Sequence, residues 1–89
     1  MRAIVSVIGK DRVGIIASVC SLLSEVDVNI LDISQTVLQD YFTMVMLVDT
    51  AACKVSFVEL SENLKVRGEA EGLSVRIQRE DIFEAMHRI

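Results

Sequence analysis

Between Gly9 and Gly14 the chain reads GKDRVG, which gathers two glycines, a carboxylate and two cations into six residues. The stretch joins an apolar run ending at Ile8 to an apolar pattern that resumes at Ile15 with helical spacing. A chain that leaves a strand and enters a helix in so few residues needs a tight turn, and glycine supplies backbone freedom or close approach there. The first turn of the helix then offers free amides and the positive end of its dipole, which hold a carboxylate, while Asp11 can receive an ammonium group. A zwitterionic amino acid suits both. A plain strand-to-helix turn with Asp11 as N-cap accounts for the same residues, leaving Lys10 and Arg12 solvated. The residues alone leave both readings open.

Other reactive side chains are sparse. Cys20 falls on the apolar stripe of the first helix, where a free cysteine behaves as a small hydrophobe. Cys53 has no base near it in sequence, and the two thiols lack metal-ligand spacing. His87, the one histidine, sits in the last turn of a C-terminal helical pattern and complements its dipole. No catalytic residue, metal site or cofactor is therefore expected.

The 89 residues, 52% apolar and 25% charged, fit one compact soluble domain. A domain this small hides only about 60–65% of the surface its unfolded chain exposes, so it gains much from a partner. A net charge of −4 argues against a phosphate-backbone binder, whose affinity rests on clustered Lys and Arg. Unpaired cysteines suit a reducing, cytoplasmic setting. The opening apolar run stops at Gly9, short of a signal peptide, and no run is long enough to cross a bilayer. Neither nucleic acid nor membrane is an expected partner. Proline is absent and no linker is visible.

The elements follow from periodicity. Ala3–Ile8 is a β-branched run that reads as a strand apolar on both faces. Ile16, Val19, Cys20, Leu23 and Val26 form the stripe of an amphipathic helix. Val28–Leu38 and Tyr41–Val48 read as strands joined by a Gln39–Asp40 turn, and the uneven phase of the first predicts a bulge or an edge position. Ser56 and Glu59 form a capping box with Val55 and Leu60 as its staple, and Gly72 marks the far end of that helix. Leu73, Val75 and Ile77 alternate with polar residues as a half-buried strand. Residues 80–89, with Ile82, Phe83, Met86 and Ile89 in a stripe, read as a final helix.

With right-handed crossovers this order gives an α+β, ferredoxin-like βαββαβ two-layer sandwich over residues 1–79 and an additional C-terminal helix over 80–89, all in one domain. The first and third strands fall at the centre. Met44 and Met46 fill the core or an interface. Two helices cover one sheet face only, so Ile4, Ile8, Val45 and Leu47 on the other call for the last helix or a second copy of the chain. A homodimer is expected.

GKDRVGIIASV followed by DVNILDIS resembles the ACT domain, a small regulatory amino-acid-binding module. The likeness runs from residue 1 to about 79 and rests on Gly9, Asp11 and Gly14 between strand and helix and on Asn29 at the start of the next strand. With DIFEAMHRI at its end, the whole chain is similar to small stand-alone ACT proteins, which in turn resemble the regulatory half of the glycine-cleavage transcriptional repressor. The resemblance implies a ligand-binding pocket between subunits. It would combine Gly9, Lys10, Asp11, Arg12, Val13, Gly14 and Ile15 with Asn29 and Ile30 of the second strand. One departure stands out: Asp27 replaces the glycine common before VN in the family, and aspartate tolerates the left-handed turn better than most residues.

The same topology serves other ends. An acylphosphatase-like enzyme would need an arginine-bearing glycine-rich phosphate loop; Arg12 and Asn29 offer only part of it. RNA binding asks for aromatics on both central strands, and the first has none. A metallochaperone needs paired cysteines in the first loop, and GKDRVG has none. The expected function is a non-enzymatic sensor of an amino acid at a homodimer interface. The alternative is an adaptor or dimerisation module that binds protein without a metabolite.

Overall fold

A computed structural model of the chain describes residues 1–10 and 15–81. It contains β1 (Arg2–Lys10), α1 (Ile15–Glu25), β2 (Asn29–Leu38), β3 (Tyr41–Asp49), α2 (Phe57–Ala70) and β4 (Ser74–Arg79). The strands form one antiparallel sheet in the order β2-β3-β1-β4, with β1 and β3 central as expected. This is the ferredoxin-like α+β sandwich. Glu80 and Asp81 begin a helical turn, and the remainder of the helix expected over 80–89 lies outside the described residues.

Both helices end in the same device. In α2 the Gly72 amide donates to the Glu69 carbonyl at 3.1 Å and the Leu73 amide to the Gly68 carbonyl at 2.8 Å, with Gly72 at φ 75. This is a Schellman cap, and only a residue that accepts positive φ can occupy its turn. In α1 the Asp27 amide reaches Ser24 at 3.1 Å and the Val28 amide reaches Leu23 at 2.9 Å, with Asp27 at φ 60. Asp27 thus does the work of the missing glycine. At its other end α2 is capped by Ser56, whose Oγ accepts from the Glu59 amide at 3.1 Å. Gln39 takes φ 54 and supplies the left-handed first residue of the two-residue β2–β3 turn.

The core lies between sheet and helices. Ala3, Val5 and Val7 from β1, Phe42, Met44, Met46 and Val48 from β3, and Val75 and Ile77 from β4 face Val19, Leu22, Leu23, Leu60 and Leu64. Met44 and Met46 are fully buried, which makes both core residues and neither an interface residue. On the opposite face Ile4, Val45 and Leu47 are half-buried and Ile8 is exposed, but Ser6, Thr43, Arg76 and Gln78 lie among them. That face is mixed, not greasy throughout. The less expected exposure is at β2, where every residue from Leu31 to Leu38 is exposed although Ile33 and Val37 share a face with the buried Met46 and Phe42 opposite them. The helices leave this strand uncovered. Its register shifts between Ile30 and Asp32, the bulge that the uneven phase foretells.

Candidate functional site

At the corner where α1 turns into β2 lies an open groove of about 510 Å³, lined by Cys20, Ser24, Asp27, Val28, Asn29, Ile30 and Ala52. Cys20 and Ser24 are one helical turn apart and so share a face of α1. The Schellman turn delivers Asp27 and Val28, and the first residues of β2 close the wall. Ala52 comes from the loop after β3. Of the residues expected at a ligand site, Asn29 and Ile30 are here. Asn29 is exposed, and its amide can both donate and accept.

Asp27 adds a carboxylate, and Lys54 answers it: the Lys54 ammonium lies 3.3 Å from the Asp27 carboxylate, while the Lys54 amide donates to the Val26 carbonyl at 2.9 Å. Each side chain is at least half exposed, so the pair contributes at most about 1 kcal/mol. Its effect is local, tempering the negative charge beside the groove. Burial pushes the Cys20 thiol up from its ordinary value, which keeps it protonated and a poor nucleophile.

The other expected residues are elsewhere. Gly9 and Lys10 end β1, opposite Phe42 and Tyr41, whereas Asn29 pairs with Asp49 at the far end of β3. Asp49 lies seven residue steps beyond Phe42 along the strand, roughly 24 Å. Gly9 and Lys10 therefore stand at the opposite end of the sheet from Asn29 and Ile30 within one chain. Gly9 also has a packing role, since a Cβ placed there would come within 2.3 Å of Leu73 Cδ2. Ile15 opens α1, and Asp11, Arg12, Val13 and Gly14 lie outside the described residues.

Cys20, Ser24, Ala52 and Lys54 are not marked by the sequence. The i, i+4 spacing of Cys20 and Ser24 gives a shared face, but not that the face turns towards β2.

Comparison with known proteins agrees with this architecture. The ACT domain family model matches residues 2–78. The chain belongs to the ACT domain family. A UPF0237 protein of Clostridium acetobutylicum is 53% identical over 89 residues, covering 100% of both chains. An ACT domain protein from Streptococcus pneumoniae, 42% identical, superposes with a TM-score of 0.83 over 98% of each chain. The ligand-free regulatory subunit of aspartate kinase from Thermus thermophilus is 28% identical with a TM-score of 0.64, matching 86% of this chain and 50% of its own. In this ACT domain no helix among the described residues is long and apolar enough to cross a membrane. Nor does any group of three His, Cys, Asp or Glu side chains among them converge as a metal site.

Proposed function

We propose that this ACT domain is a regulatory module that binds an amino acid at the interface of a homodimer and has no catalytic role of its own. The observation that carries the reading is the α1–β2 groove, where the two-way hydrogen-bonding amide of Asn29 stands beside an Asp27 carboxylate tempered by Lys54. A small zwitterion suits such a corner. The separation of Asn29 and Ile30 from Gly9 and Lys10 along the sheet favours a site shared between subunits, to which Asp11, Arg12, Val13, Gly14 and Ile15 are proposed to belong. Family membership supports the regulatory role, and the aspartate kinase subunit is a relative whose own name states regulation. Two free cysteines favour the cytoplasm.

A thermal-shift screen against the twenty amino acids tests this. A ligand that binds only the folded dimer adds about 2.7 kcal/mol at a hundredfold excess over its dissociation constant, enough to shift the melting temperature by several degrees. Flat curves for all twenty would transfer the assignment to an adaptor that binds protein alone.

A further inference from the structure

The face of the sheet turned away from α1 and α2 is apolar at one end only. Strand pairing and alternation set its rows: Gln78, Ile4, Leu47 and Asp32 lie side by side across β4, β1, β3 and β2, and Arg76, Ser6, Val45 and Ser34 form the next row. Ser74, Ile8, Thr43 and Thr36 make the third. Ile4, Leu47 and Val45 are thus neighbours, all three half-buried, whereas Ile8 stands 49% exposed among hydroxyl groups.

This patch lies at the end where β4 leaves the sheet. Arg2 is on the same face as Ile4, and its Nε donates to the Glu80 carboxylate at 2.8 Å. The bond holds the chain at the rim of the open face just as Glu80 and Asp81 begin a helical turn. Eight residues follow, IFEAMHRI, and at helical spacing Ile82, Phe83, Met86 and Ile89 fall on one stripe. A helix from Glu80 to Ile89 is about 15 Å long. From β4 to β2 the face is three strand spacings wide, about 14 Å.

We propose that residues 82–89 continue this turn as a helical strap across the open face of their own chain, from β4 to β2, covering Ile4, Val45 and Leu47. Ile82 and Phe83 then rest on Ile4, and Met86 rests on Leu47 and Val45. The last turn arrives at β2, where Arg88 meets the exposed carboxylate of Asp32. Opposite charges thus stand at the far end of the strap as they do at the near one, where Glu80 meets Arg2. A second copy of the chain is the poorer occupant. Interfaces between molecules engage about 20–30 residues on each side, and this patch is three side chains rimmed by Ser6, Ser34, Arg76 and Gln78. The strap lies across the sheet from α1 and its groove, so it neither needs nor excludes an amino acid there.

Paired cysteines in a Cys20→Ala, Cys53→Ala background read this contact directly. Under mild oxidation Leu47→Cys with Met86→Cys is expected to close a disulfide within one 9.9 kDa chain, seen by mass spectrometry as two thiols protected from alkylation. Val66→Cys, at an exposed position of α2, is expected to leave both thiols free when combined with Met86→Cys. Phe83→Ser gives a second measurement that needs no oxidation. It should uncover the patch, raising the fluorescence of an added anilinonaphthalene sulfonate dye severalfold and lowering the melting temperature by several degrees. A Leu47→Cys, Met86→Cys pair that stays reduced, a disulfide that joins two chains, a link through Val66→Cys, or a Phe83→Ser variant with wild-type dye binding and melting would each overturn the proposal. None of these readings involves an amino acid, so a flat ligand screen leaves the strap standing and a failed cross-link leaves the ligand site standing.

Discussion

Asp27 and Lys54 meet at 3.3 Å beside the groove, and Asp27 holds a left-handed φ of 60 while doing so. Asp27→Gly keeps the turn and loses only an exposed ion pair, so thermal unfolding should place it within about 1 kcal/mol of wild type. Asp27→Val forces a β-branched residue into the same conformation and should cost about 1–2 kcal/mol. Equal melting curves for the two variants would show that the turn does not constrain this position.

Gly68 packs α2 against β4 with no space for a side chain: a Cβ there would come to 2.6 Å from Val75 Cγ2 and 3.3 Å from the Leu73 carbonyl oxygen. Helix propensity favours alanine by up to about 1 kcal/mol, but overpacking a buried contact costs about 1–3 kcal/mol. Gly68→Ala should therefore be destabilising in a denaturant titration. A stabilised variant would mean that Val75 yields freely.

The Asp49 carboxylate accepts from the Ala51 amide at 2.9 Å, with the Met1 ammonium 3.6 Å away, and these hold its carboxyl below the ordinary aspartate value. A depressed pKa stabilises the fold above the unfolded value and loses that contribution as pH falls through the folded one. Wild type should thus exceed Asp49→Asn in stability at neutral pH, and the difference should close below about pH 4. A gap that persists at pH 2 would point to a cause other than charge.

Burial raises the Cys20 thiol, so at pH 8 it should react with iodoacetamide more slowly than a free model thiol. Because Cys20 lines the groove, an amino acid that raises the melting temperature should slow its alkylation further. Mass-spectrometric labelling rates that ignore such a ligand would put its site elsewhere.

Asn29 is exposed and serves no packing, so Asn29→Ala should leave the unliganded melting temperature within about 1–2 °C of wild type. The ligand-induced shift should fall or vanish. An unchanged shift would remove Asn29 from the site.

Much of this architecture is legible in the residues because local rules and the fold coincide. Ser56 and Glu59 announce a helix start, Gly72 its end, and the alternation of Leu73, Val75 and Ile77 a half-buried strand, and each occupies that role. The uneven phase around Leu31 is the bulge. What periodicity gives is the face of an element, not what stands over that face. Ile33 and Val37 carry the alternation of core residues, yet both are exposed and neither α1 nor α2 lies above them. Cys20 and Ser24 likewise share a helical face whose neighbour is set by tertiary packing, and Asn29 is parted from Gly9 by a strand pairing that no local pattern encodes.

The two borders of the sheet differ in how open they are to another strand. β2 offers a long rail of backbone whose one charge is Asp32, whereas the short β4 carries Arg76 and Arg79, charges of the kind that discourage another strand from docking. A molecule with two unguarded flanks could add copies on both sides without closing, and the arginines of β4 guard one of the two.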